Sequence, residues 1–230
     1  MTEIIVDGIP ISVTKKPIKN MYIRIVPPDG GVRLTAPYSM SDEDICSFAV
    51  SRLSWIRKHQ KHFGEQTRQP ERQYITGESY YVWGKRYELD VRCSEKGARV
   101  YPEEGKLVLT IMEGSTSGQR EAVLNEWLRG EIKAVIPEML EKCENIVGVR
   151  AQEWRVKNMR TRWGTCNVQK KRIWLNLQLA QKAPECLEYV IIHELVHLLE
   201  RNHNTRFYRY MNKFYPDWRA VKDKLNYEKL

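Results

Sequence analysis

No stretch of this 230-residue chain approaches the roughly 18 uninterrupted apolar residues that a membrane span requires. The opening Met1-Thr2-Glu3-Ile4-Ile5-Val6-Asp7 lacks a basic segment followed by an apolar one, so it does not read as a secretory signal. Cysteine is sparse. Cys46, Cys93, Cys143, Cys166 and Cys186 are odd in number, far apart and without a C-x-x-C pair, which argues against a disulfide scaffold and for free thiols in the cytoplasm. The sequence has no evident internal repeat and no low-complexity tract. These absences point to a cytoplasmic globular protein with no membrane partner.

With 42% hydrophobic and 29% charged residues the chain falls in the ordinary globular range, and its length suits one large domain or two small ones with a core of their own. The formal net charge is +9, and much of it is local. Residues 150–172 hold eight basic side chains (Arg150, Arg155, Lys157, Arg160, Arg162, Lys170, Lys171, Arg172) against the single acid Glu153, a net +7. Trp154 and Trp163 lie within this segment and Trp174 just beyond. Basic residues interleaved with aromatics suit single-stranded nucleic acid or another polyanion, although a solvated strand face over core tryptophans reads the same way.

The first half carries period-two patterns. Met21, Ile23 and Ile25 alternate with Tyr22, Arg24 and Val26, and Pro27 to Gly31 turns the chain into a second strand from Val32 to Ala36. Ser41, with Asp44 three residues on, predicts the start of one helix reaching to about Phe63. The polar stretch Gly64 to Gly77 is the best linker. Two further hairpins are expected, Tyr80 to Trp83 with Tyr87 to Arg92, and Ala98 to Tyr101 with Lys106 to Ile111. A long amphipathic helix from Gln119 to about Ile146, with Pro137 as a kink point, opens the second half. Short strands at Trp154 to Met159 and Arg172 to Leu177 follow, then three helical segments. The expected division is a β-rich region at 1–112 and a metal-binding domain at 113–230.

Pro184 suits the first position of a helix whose Leu187, Tyr189, Val190, Ile191, Ile192, Leu195, Val196, Leu198 and Leu199 are apolar almost all round, so the helix is expected to be buried. His193 and His197, four apart, lie one turn apart on one edge, where two imidazoles can grip one cation. Glu194 stands about 100° round the helix, so its carboxylate can reach a metal-activated water as general base without becoming a ligand.

A catalytic zinc ion takes three protein ligands and leaves a position open. His203 is the expected third, the chain swinging back through Arg201 and an Asn202 in the left-handed conformation. Glu200 competes, but three ligands in line on a straight helix make a poor tetrahedral corner. Two buried histidines hydrogen-bonded to neighbours are the plain alternative. Burying two imidazoles and a carboxylate without a cation leaves many polar groups to satisfy.

Cys166 is read as a buried thiol rather than a nucleophile, and Arg160, Arg162, Tyr208 and Tyr210 as open candidates for stabilising an oxyanion. Phe207, Met211 and Phe214 form a core stripe, and Asn204 caps a helix from Thr205.

The strings R-T-R-W-G-T-C (160–166), L-N-L-Q-L (175–179) and E-Y-V-I-I-H-E-L-V-H-L-L-E-R-N-H-N-T-R-F (188–207) resemble the YgjP-like metallopeptidases, bacterial relatives of the SprT and Spartan proteases. The resemblance covers almost the whole chain, including a strand ending at Ala36-Pro37 and a helix bearing Trp55. It implies an α+β, zincin-like metallopeptidase domain with an antiparallel β-rich N-terminal half, a Zn2+ ion on His193, His197 and His203, a catalytic Glu194, and a peptide or protein substrate. Thr165 and Asn204 stand where that family more often has serine. The DNA-binding and zinc-ribbon regions of Spartan have no counterpart in these residues, so crosslink repair is not carried over. Two other readings stay open: a nucleic-acid-associated SprT-like protease, and a non-catalytic binding module with a structural zinc.

Overall fold

The computed structural model describes residues 2–26, 30–66 and 72–227, and the chain divides into two compact units, Met1–Arg72 and Gln73–Leu230. The division falls inside the stretch expected to be a linker, of which 67–71 lie outside the described residues. The boundary expected at 112/113 instead falls within the second unit, whose single core cluster runs from Tyr80 to Leu225. The hairpins of residues 79–111 cannot bury their inner faces without the helices that follow them.

In the first unit, β1 (Thr2–Val6) and β2 (Ile9–Lys16) form a hairpin, as do β3 (Tyr22–Val26) and β4 (Gly31–Pro37), and β2 joins β4 in parallel to give the order β1-β2-β4-β3. The expected Pro27-Pro28-Asp29 turn lies outside the described residues. Ile11, Val32, Leu34 and Ala36 face the buried side, packed against Ile45, Ala49 and Ile56. The expected single helix is two, α1 (Asp42–Ser51) and α2 (Leu53–Gln66). They part at Arg52, whose backbone N–H bonds back to Ala49 and Val50. Ser41 caps α1, its hydroxyl accepting from Asp44 N.

The second unit repeats this plan. Hairpins β5 (Ser79–Val82)/β6 (Lys85–Cys93) and β7 (Arg99–Glu103)/β8 (Lys106–Ile111) join through a parallel β6–β8 pair in the order β5-β6-β8-β7. A helix again follows, α3 (Ser117–Val147). Each four-stranded sheet is therefore mixed, not antiparallel throughout, because each pair of hairpins meets along its second strands.

The repeat shows in matching details. The β1–β2 turn has positive φ at Asp7 and Gly8, the β5–β6 turn at Trp83 and Gly84. Leu34-Thr35 and Leu109-Thr110 each precede the N-caps Ser41 and Thr116 by the same spacing. Few identities mark it, so it is invisible to inspection of the sequence.

Helix α3 begins at a capping box of Thr116 and Gln119, ends at a left-handed Gly148, and runs through Pro137. Its buried stripe is Leu124, Leu128, Ile132, Ile136 and Leu140. A third sheet, β10-β11-β9, is built from β9 (Glu153–Lys157), β10 (Gly164–Asn167) and β11 (Arg172–Asn176), with β11 parallel to β9 and antiparallel to β10. β10 was not expected; it lies between the two strands read from the sequence. A 3-10 turn (Leu177–Gln181) leads into α4 (Pro184–Val196), and α5 (Thr205–Phe214) and α6 (Trp218–Tyr227) close the unit. Among the described residues no helix is long and apolar enough to cross a membrane.

Candidate functional site

Helix α4 is held on several sides. It packs on α3, α5, α6, β10 and β11, and Pro184 at its first turn fits the missing N–H there. The β5–β6 tip fixes its start, with Trp83 N donating to Ala180 O at 2.7 Å and Gly84 N to Gln181 O at 3.3 Å. A β-carbon on Gly84 would stand 3.1 Å from Ala183, so glycine permits this close approach. The all-round apolar pattern expected of α4 corresponds to burial from Cys186 to Val196 at every residue but Glu188, which pairs with Lys142, and His193 at the margin.

The last turn of α4 tightens. Leu198 and Leu199 N–H groups bond three residues back, and the chain then bends through 201–204 into α5. Asn202 is not among the residues with positive φ, so the expected left-handed cap is absent. The return is made by these tightened bonds and by Asn204 N donating to Asn202 O at 2.8 Å. Asn204 then caps α5, accepting from Phe207 N at 3.0 Å.

This path brings His193, His197 and His203 together, with one ring nitrogen from each within 4.8 Å of the other two. His193 Nε2 and His203 Nε2 stand 3.0 Å apart. Two imidazole nitrogens meeting this way share either a proton or a cation. Around zinc with bonds of 2.0–2.1 Å, tetrahedral ligand atoms are about 3.3–3.4 Å apart, close to this spacing. His197 Nδ1 lies 3.2 Å from Glu200 O, which places its proton there and leaves Nε2 free as a donor atom. Glu200 therefore serves through its backbone, and among the described residues no carboxylate joins the cluster.

The Phe207 ring, fully buried, lies under all three imidazoles with centroids 4.6–5.0 Å away. Burial lowers the pKa of all three histidines, that of His193 to about 3, favouring the neutral form a cation needs.

Glu194 is 4% exposed and lies against Gly164 of β10. Burial pushes its carboxyl up to about 8, opposed by the positive charge of Arg162. It shares a cavity of about 860 Å3 with the histidines, and β10 forms one wall.

Asn176 places that wall. Buried at the end of β11, its amide donates to Met159 O and Arg162 O at 2.8 Å each, while its oxygen accepts from Met159 N and Gln178 N. Trp163 continues the tie, its indole donating to Asn226 of α6 at 3.0 Å.

Of the oxyanion candidates, only Arg162 lines the cavity. Tyr208 stacks on Trp218, Tyr210 partners Arg206 and stacks on Phe214, and Arg160 stands outside. Sequence reasoning missed Tyr189, which lines the cavity with its ring edge on His193 at 5.9 Å. Burial and the nearby Glu194 raise its phenol to about 12, so it keeps a proton to donate. Its position one helical turn before His193 was the available signal. The Cys166 thiol is raised by burial to about 11, which opposes the thiolate a nucleophile requires.

In the basic segment, Trp154 and Trp163 pack against the core, and Glu153 pairs with both Arg155 and Arg172. Trp174 keeps an outward face, with the Arg155 guanidinium 5.5 Å over its ring.

Among solved structures, the chain is similar to the metallopeptidase zymogens abylysin of Pyrococcus abyssi (22% identity, 40% of this chain and 91% of that one, TM-score 0.37) and jannalysin of Methanocaldococcus jannaschii (19%, 39% and 92%, TM-score 0.35). Neither overlap bears on the assignment. No curated protein matches significantly. The model of the YgjP-like metallopeptidase domain matches residues 19–228, nearly the whole chain and all of the strings that carried the resemblance. The chain belongs to the YgjP-like metallopeptidase family and is on that ground a metal-dependent hydrolase.

Proposed function

We propose that the protein is a zinc peptidase of zincin-like build in which His193, His197 and His203 hold the ion and Glu194 is the general base. The observation that carries this is the cluster of three imidazole nitrogens with a buried carboxyl one residue along the same helix and outside the cluster. An all-imidazole donor set with neutral rings favours zinc over magnesium or calcium, which take oxygen ligands. When bound, the ion would supply a Lewis acid for the scissile carbonyl and lower the pKa of a water.

The protein's own groups do the rest. Glu194 takes a proton from the attacking water and returns it to the leaving amine. Tyr189 and Arg162 donate to the oxyanion. β10 is an edge strand along the cavity, so an extended peptide can pair with its free side. Five free thiols suit a reducing compartment such as the cytoplasm.

The test is Glu194→Gln, assayed for bound zinc by elemental analysis and for hydrolysis of a denatured protein substrate. Full zinc with turnover reduced at least about a hundredfold is expected. Unchanged turnover would overturn the mechanism, and a purely structural zinc site would be indifferent to this change.

A second reading rests on the Arg155–Trp174 stack and on Lys157, Lys170 and Lys171, exposed on β9 and in the β10–β11 turn of the same sheet, as a platform for single-stranded nucleic acid. Absence of oligonucleotide binding at low ionic strength would remove it.

A further inference from the structure

The cavity that holds Glu194 and the histidines has three other charged lining residues, Arg162, Arg201 and Lys222, all positive and all exposed. They come from three separate places: the loop before β10, the bend after α4, and helix α6. Four other arginines of this unit meet carboxylates (Arg92 with Asp90 and Glu103, Arg129 with Glu126, Arg155 and Arg172 with Glu153), while Arg86, Arg120, Arg206 and Arg219 bond to neutral groups. Among the described residues no carboxylate lies within ion-pair distance of Arg162, Arg201 or Lys222. Lys222 reaches toward the Trp218 ring, 5.8 Å from its centroid.

We propose that this cavity selects peptides carrying an oxyanion, carboxylate or phosphate, beside the scissile bond, with Arg162, Arg201 and Lys222 as its recognition groups. The proposal rests on the peptidase reading and adds the substrate class.

The field of Lys222 reaches His193 and His203, and that of Arg162 reaches Glu194. A concave wall of one sign with little competing charge concentrates anions and orients them. Guanidinium groups match carboxylate and phosphate oxygens in paired geometry, and an ammonium serves either as a point charge. Neutral Thr165, Asn167, Gln169, Tyr189 and Asn226 complete the polar lining, so Glu194 is the one charged lining side chain that shares the sign of an incoming anion.

The experiment compares three fluorogenic peptides of one sequence with serine, aspartate or phosphoserine next to the cleavable bond. kcat/KM is measured on the zinc-loaded enzyme, and binding is measured by anisotropy on Glu194→Gln, which does not need turnover. The anionic peptides should exceed the serine peptide about tenfold or more in both assays at low salt, the ratio shrinking as salt rises. Arg201→Gln and Lys222→Gln should each cut that ratio about two- to fivefold. The double reversal Arg201→Glu/Lys222→Glu should invert it, the serine peptide then exceeding the anionic ones.

Preference for phosphoserine over aspartate assigns phosphate, and the reverse order assigns carboxylate. Equal binding of all three peptides, or a ratio unmoved by the double reversal, overturns the proposal. If no peptide is cleaved the peptidase reading fails, while the binding ratio still decides the anion preference.

Discussion

Gly164 and Glu194 are in contact so close that a β-carbon at 164 would force the side chains of α4 to shift. A β-carbon there would stand 2.6 Å from Glu194 Oε1, 2.9 Å from its Cγ and 2.8 Å from Val190 Cγ1. Edge strand and helix are thus pressed together at the carboxyl group, and the backbone of β10 fixes where that carboxyl points.

Gly164→Ala is therefore expected to act on Glu194 rather than on the histidines. Overpacking of this kind costs about 1–3 kcal/mol of stability. Turnover should fall at least tenfold while zinc affinity changes little, because the atoms a β-carbon at 164 would meet belong to Glu194 and Val190 and not to the histidines. Calorimetric zinc titration alongside peptide hydrolysis separates the two effects. Equal losses in both, or none in turnover, would show that the contact does not set the carboxyl position.

Phe207 supports the other side of the site. Its buried ring touches all three imidazoles. Phe207→Ala should cost about 3–5 kcal/mol in the metal-free protein and weaken zinc binding about 10- to 100-fold. Phe207→Leu, which keeps most of the volume, should recover much of the stability. Wild-type zinc affinity in Phe207→Ala would mean the histidines are held by their backbones alone.

How much of this was legible before the structure depended on the range of the interaction. Helix periodicity and capping act within a few residues, so Ser41, the α3 stripe and the apolar face of α4 could be read directly. The grouping of His193, His197 and His203 followed from a four-residue spacing and a short return. The left-handed Asn202 did not, because tightened hydrogen bonds at Leu198 and Leu199 turn the chain without it.

Pairing between distant strands leaves no local mark. The parallel β2–β4 and β6–β8 ladders, and with them the repeated plan of the two units, join segments whose own patterns say only that each is a strand. β10 was hidden for a different reason: it is only four residues long and begins and ends with the poor strand formers Gly164 and Asn167, and the strand exists because it pairs with β11 and packs on α4.

The acidic and basic groups of the site make the stability of the metal-free protein depend on pH in two opposed ways. The three imidazoles have folded pKa values below their ordinary 6.5, that of His193 near 3. As pH falls below 6.5 the unfolded chain takes up protons that the folded one refuses, so their contribution is complete above 6.5 and is lost on acidification. Glu194 runs the other way. Its folded pKa is near 8 against an ordinary 4.5, so the folded protein keeps a proton that the unfolded chain gives up, and that contribution is complete below 4.5 and is lost as pH rises through 8. Thermal melts of metal-free wild type and Glu194→Gln between pH 4.5 and 8.5 isolate the second effect, because the histidines are common to both. The wild-type Tm should decline relative to the variant across that whole range. Saturating zinc should abolish the decline, since a dication beside Glu194 favours its charged form and removes the reason for the buried proton. A pH-independent Tm difference in the metal-free pair would mean that the Glu194 carboxyl titrates as an ordinary exposed acid, and the base assigned to this site would have to be sought elsewhere.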